Sequence, residues 1–214
     1  MTLPVAKRVD DFLNKVQTAR GRLIFALDAT GSRDETWDLA CRLQADMFAE
    51  AGKLGGLETQ LVYFRGLSEC KSSPWTPDTR EITNLMVRIK CMTGTTQIGR
   101  VLAHIRKEHA QQKVNAAIFI GDAMEEEAQT LYDAAIGLGV PIFLFQERDD
   151  PLVKDTFKQI ATLTNGAYFQ FDAGAAHELA ELLRAVAAFA VGGLTALADQ
   201  RTDSARKLLG QMKK

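Results

Sequence analysis

Two apolar runs, Leu23-Ile24-Phe25-Ala26-Leu27 and Ala116-Ala117-Ile118-Phe119-Ile120-Gly121, are each followed by an aspartate, Asp28 and Asp122. Neither run alternates apolar with polar residues, so each reads as a strand covered on both faces, as inside a parallel sheet. Parallel strands need crossover connections, usually helical, and the chain supplies them. Residues 34–52 set Trp37, Ala40, Cys41, Leu43, Ala45, Met47 and Phe48 among charges and close at Gly52, which predicts a helix. Strands are expected over 58–65, 140–146 and 167–171, and helices over 97–113, 125–138, 150–164 and 174–191. Past Pro74 and Pro77, Asp78 is placed to cap a helix reaching about Cys91. The polar segment 68–73 suits an antiparallel edge strand. This alternation predicts an α/β fold, a three-layer, doubly wound and mostly parallel sheet with helices on both faces.

Outside that unit, Val5, Val9, Phe12, Leu13 and Val16 recur at helical spacing. The expected division is an N-terminal helix over 1–20, an α/β domain over 21–191, and a helical extension over 192–214 beyond Gly192-Gly193. The uncharged stretch 185–198 is expected to pack in the core. At 214 residues with 46% hydrophobic content, the chain is the right size for one well-cored domain with additions. A formal net charge of −1 gives no electrostatic footprint for nucleic acid. Cys41, Cys70 and Cys91 are odd in number and scattered, the pattern of reduced thiols and not of a disulfide framework. The first eight residues carry charges where a signal peptide is apolar. The uncharged run Ala185–Ala198 is 14 residues long, short of the roughly 20 that a membrane span needs. The expectation is a cytoplasmic protein of bacterial type, with no membrane partner.

Asp28, Thr30 and Ser32 stand at alternate positions after the first strand. All three are short oxygen donors, which suits a hard cation such as Mg²⁺. In doubly wound sheets ligands gather at the carboxyl ends of strands. Gly94-Thr95-Thr96-Gln97-Ile98-Gly99 opens a predicted helix, and Asp122 closes the later strand. A phosphate-binding loop is excluded at Gly94–Gly99, because the lysine and the following hydroxyl are missing and no strand precedes it.

Taken together, these three segments resemble the metal-ion-dependent adhesion site of von Willebrand factor A domains. That family carries a D-x-S-x-S loop after its first strand, a distant threonine in a glycine-rich loop, and an aspartate ending its fourth strand. The resemblance covers roughly residues 20–190. It implies that Asp28, Thr30, Ser32, Thr96 and Asp122 hold Mg²⁺ or Mn²⁺. Thr96 fits better than Thr95, because Ile98 and Leu102 follow it as in the family pattern. Thr30 replaces the commoner serine and keeps the hydroxyl. The resemblance further implies hydroxyls as direct ligands and aspartates acting through waters. The ion is then one ligand short and takes a Glu or Asp carboxylate from a protein partner. The expected role is binding and not catalysis, within an assembly or beside an ATPase, as for intracellular members of the family.

The Asp28 and Gly121-Asp122 segments also resemble motifs of haloacid-dehalogenase-type phosphatases, with Asp28 as nucleophile. This is the alternative reading, although Thr30 stands where a second acid is usual and no lysine ends a strand before Asp122. Among other residues, Glu125-Glu126-Glu127 are expected in the first turn of a helix, as a solvated start or an acidic rim. Arg33 is expected at the surface, facing Asp34, Glu35 or a partner's carboxylate. Trp37 reads as core, and Trp75 either as an exposed contact near the site or as packing. His104, His109 and His177 form no ligand set.

Overall fold

The computed structural model describes residues 21–33, 56–171 and 176–212. The helices expected over 4–19 and 34–52, with Trp37 and Cys41, lie outside the described residues. Six strands form one sheet: β1 (Gly21–Asp28), β2 (Leu57–Arg65), β3 (Glu69–Ser72), β4 (Ala116–Gly121), β5 (Ile142–Glu147) and β6 (Ala167–Phe171). Their order is β3-β2-β1-β4-β5-β6. All neighbours are parallel except β2 and β3, which form the expected antiparallel edge.

Every residue of β1 and β4 is buried, as unbroken apolar runs require. The period of two sends Leu23, Phe25 and Leu27 to one face and Ile24 and Ala26 to the other. The first face is covered by α1 (Thr79–Arg88), α5 (Ala176–Asp199) and α6 (Asp203–Met212). The second is covered by α2 (Ile98–Gln111), α3 (Ala128–Ala135) and α4 (Pro151–Leu163). Local chemistry sets several of these boundaries. Asp78 accepts from the Arg80 amide at the start of α1. Asp150 accepts from the Leu152 and Val153 amides at the start of α4, with Pro151 in the first turn.

Two helices depart from expectation. Helix α3 starts at Ala128 and not at 125, because Glu125 and Glu126 are drawn across to the start of α2. The region 194–212 is not one helix. Gly193 has φ 65° and ψ −155°, which kinks α5, and Arg201 turns left-handed at φ 51° before α6. Both kinks fold the tail back onto the molecule, so Leu197, Ala205 and Leu208 are buried in the same core as Leu183 and Val186. His177–Asp199 is long and apolar enough to cross a membrane by length and composition, but 56% of its most apolar window is buried inside the protein. At the far edge of the sheet, the Gln211 side chain accepts from the Tyr168 amide and donates to the Tyr168 carbonyl, each at 2.9 Å.

The connections leave β1 toward β2 on one side and reach β4 on the other. This is the switch point where a doubly wound sheet opens a crevice beyond its carboxyl ends. The register pairs Leu27 with Ile120, so Asp28 and Asp122 emerge side by side at that crevice.

Candidate functional site

Asp28 is wholly buried at the end of β1. Its Oδ1 accepts from the Thr30 amide at 2.8 Å, an Asx turn that swings the chain into a single 3₁₀ turn at Gly31–Arg33. That turn brings the Thr30 and Ser32 hydroxyl oxygens within 3.1 Å of each other. Ser32 in turn donates to Asp122 Oδ1, also at 3.1 Å. Four of the five residues expected to hold a cation therefore form one connected set of oxygens. Gly121 permits the close approach: a Cβ there would lie 2.9 Å from the Phe119 ring and 3.4 Å from the Asp28 Cβ.

The second Asp28 oxygen, Oδ2, is buried without a hydrogen-bond partner. Burial pushes the Asp28 carboxyl up to about 6, against a downward pull from its bonds to Thr30. A buried charged oxygen with no donor is what a cation, or water held by a cation, satisfies. The spacing fits as well. Adjacent ligands around an octahedral Mg²⁺ at 2.0–2.1 Å are about 2.9 Å apart, close to the 3.1 Å between the Thr30 and Ser32 hydroxyls. The donors therefore fit a small hard ion. Among the described residues no three His, Cys, Asp or Glu side chains gather as a ligand group, so a cation at this place depends on the hydroxyls.

Thr96 stands on the neighbouring loop, and its described bonds go elsewhere. Its amide donates to Glu125 Oε2 at 2.8 Å and its hydroxyl to Glu126 Oε2 at 3.1 Å. The hydroxyl also accepts from the Glu125 amide. Glu126 further accepts from the Ile98 and Gly99 amides at 2.9 and 2.7 Å. Gln97, at the cap position of α2, makes no side-chain capping bond, and Glu126 supplies the missing acceptor and a charge favourable to the helix dipole. Glu125 and Glu126 thus tie the loop after Asp122 to the start of α2, whereas Glu127, exposed at the cap position of α3, keeps the expected place at a solvated helix start. Thr96 belongs to that tie and is not bonded within the oxygen set. Gly94 lets this loop press against the turn at Gly66, whose carbonyl would be 2.0 Å from a Cβ on residue 94.

Arg33 corrects a second expectation. It is wholly buried, donating through Nε to Glu147 Oε2 at 3.0 Å and through Nη1 to the Asp28 carbonyl at 2.8 Å. It braces the end of β1 against the end of β5 and does not face solvent. Arg148, next along the chain, was not expected at the site at all. Its Nη1 lies 3.5 Å from Asp122 Oδ2, and its Nη2 donates to the Ser32 carbonyl at 2.6 Å. Neither Glu147 nor Arg148 stands near the motifs in sequence, and only the order of the sheet brings β5 beside β4. Trp75 takes the packing alternative. Its indole donates to Glu108 at 2.7 Å and stacks under the Arg22 guanidinium, so it packs against the side of α2. His104 contacts Gln60, and His109 accepts from the Val114 amide; neither contributes to the site.

No protein-family model and no curated protein matches this chain. Solved structures do match. A von Willebrand factor type A protein from Catenulispora acidiphila superposes with a TM-score of 0.65 at 19% identity, over 81% of this chain and 43% of that one. This chain thus spans less than half of that protein's length. The vWF domain of the type V pili tip protein Mfa5 from Porphyromonas gingivalis gives 0.64 at 12% identity, over 79% and 94%. The SpRpn10 VWA domain gives 0.62 at 10% identity, over 75% and 95%. These likenesses establish the fold as that of von Willebrand factor A domains. They lend no support to the phosphatase alternative, and a wholly buried Asp28 presents no surface to a phosphate.

Proposed function

From a fold shared with von Willebrand factor A domains, we propose that this chain is a binding module. In this reading it captures a protein through a divalent cation, Mg²⁺ or Mn²⁺, at the crevice between β1 and β4. The observation that carries the proposal is the connected oxygen set of Asp28, Thr30, Ser32 and Asp122, with Asp28 Oδ2 left unsatisfied. Thr30 and Ser32 act as the direct ligands through neutral hydroxyls. Asp28 and Asp122 supply charge and orient bound waters. Thr96 keeps a hydroxyl lone pair for the ion while its proton stays on Glu126. Bound mostly by neutral groups, the ion supplies Lewis acidity toward one more anionic ligand, a Glu or Asp carboxylate of the partner. Ser32 is exposed, which leaves that approach open.

The set contains no activated nucleophile and no paired acid and base, so the reading is binding without catalysis. The pili tip and VWA domains that share the fold make a protein partner the natural class. A reducing cytoplasm suits the odd, scattered set of Cys41, Cys70 and Cys91. An ATPase or a multi-subunit assembly is the proposed setting. Affinity capture from a cell extract, run in Mg²⁺ and again in chelator, tests this. The expected result is a partner retained only with the ion and lost in Asp28→Ala. Equal capture in chelator would overturn it.

A further inference from the structure

Arg148 reaches the oxygen set from its open side. It follows β5 directly and holds φ 68°, a left-handed conformation that non-glycine residues seldom adopt. Its carbonyl accepts from the Gln170 side chain at 3.2 Å, which anchors the turn in that shape. The guanidinium then forks across two residues of the proposed cation site: the Asp122 carboxylate at 3.5 Å and the Ser32 carbonyl at 2.6 Å. The two partners differ sharply in freedom. The Asp122 side chain is 1% exposed and the Arg148 side chain 56%, so the guanidinium leaves into water without unpacking the core. Arginine carries its charge at every accessible pH, so Asp122 has a permanent counter-charge in the ion-free protein. A divalent ion set against the same carboxylate meets that charge at short range, inside a site of reduced dielectric.

We propose that Arg148 is a tethered competitor for the cation, which neutralises Asp122 when no ion is bound and swings out when one binds. The competition sets how much free ion the module needs before it captures a partner. This inference rests on the cation reading above and deepens it.

The test is direct calorimetry of Mn²⁺ binding to the full chain, with circular dichroism confirming that each variant is folded. Arg148→Gly removes the guanidinium and accepts the left-handed backbone without strain. It is expected to bind Mn²⁺ about three- to tenfold more tightly than the wild type, the range that a half-exposed charged contact supports. Arg148→Lys keeps the charge but loses the fork, and is expected between the two. Arg206→Ala removes an exposed cation paired with Asp203 on α6, with no bond to the oxygen set or to the turn at Arg148, and should leave the affinity unchanged. Equal affinity of Arg148→Gly and wild type overturns the competition and leaves the cation site standing. So does a gain in Arg206→Ala as large as in Arg148→Gly, since that marks a general field effect. If neither wild type nor Arg148→Gly binds Mn²⁺ at millimolar concentration, the cation reading itself falls and this inference falls with it.

Discussion

Asp28 keeps a carboxylate in a place that does not favour one. Its carboxyl is pushed up to about 6 by burial, whereas the unfolded chain titrates it near 4. Between those values the folded protein holds a proton that the unfolded chain has lost, so stability falls as pH rises through that window and stays lowered at neutral pH. That gap corresponds to about 3 kcal/mol, an upper limit because Asn brings its own buried donors. Asp28→Asn is therefore expected to stabilise the ion-free protein by about 1–2 kcal/mol at pH 7. In the same variant, the rise in melting temperature that Mg²⁺ gives the wild type should disappear. Thermal denaturation with and without Mg²⁺ measures both. A variant that is less stable in chelator and still gains from Mg²⁺ would show that the buried charge serves no ion. Residues held at such a cost are typical of binding sites.

At the scale of elements, the carboxylate of Glu126 joins the start of α2 to the loop that follows β4. Glu126→Ala removes the acceptor for the Ile98 and Gly99 amides and for the Thr96 hydroxyl. The expected loss is about 1–2 kcal/mol in urea denaturation, and Thr96 loses its fixed orientation. A change within a few tenths of a kcal/mol would mean that water replaces the carboxylate without penalty. This link also marks where reading the sequence reached its limit. The strands were legible because β1 and β4 are apolar without a break, and Asp28 and Asp122 were legible because they end those runs. The Glu125-Glu126-Glu127 run is a good helix start by local rules, and those rules hold no information about a second helix 27 to 28 residues earlier that lacks its own cap. Arg33 likewise reads as a surface residue, since its carboxylate partner Glu147 lies on β5 and only the completed sheet puts it within reach.

For the molecule as a whole, the architecture followed from alternation, while the course of the tail did not. Gly192-Gly193 signals a break, but the direction after a left-handed glycine depends on the core that Leu197 and Leu208 find. The tail carries Gln211 to Tyr168, a residue whose phenol donates to Gln146 at 2.7 Å. Burial, with Asp149 and Asp155 nearby, pushes that phenol up to about 12. An unfolded tyrosine titrates near 10, so the phenol's contribution to stability is complete below pH 10 and is lost as pH climbs toward 12. Wild type and Tyr168→Phe should keep a constant difference in melting temperature up to pH 10. Above it, the wild type should fall relative to the variant. A difference that stays flat to pH 12 would mean that Tyr168 ionises as freely in the fold as in the unfolded chain.

The amide of Gln211 occupies the backbone groups that Tyr168 turns outward from β6, the position where another chain's strand would begin to pair. The opposite margin, β3, is four residues long and carries Glu69 and Lys71. Sheet margins are where folded proteins polymerise, and growth into a fibre needs two of them on every copy. With Gln211 seated on Tyr168, a strand approaching β6 meets backbone groups already taken by the chain's own tail, which works against growth from that margin.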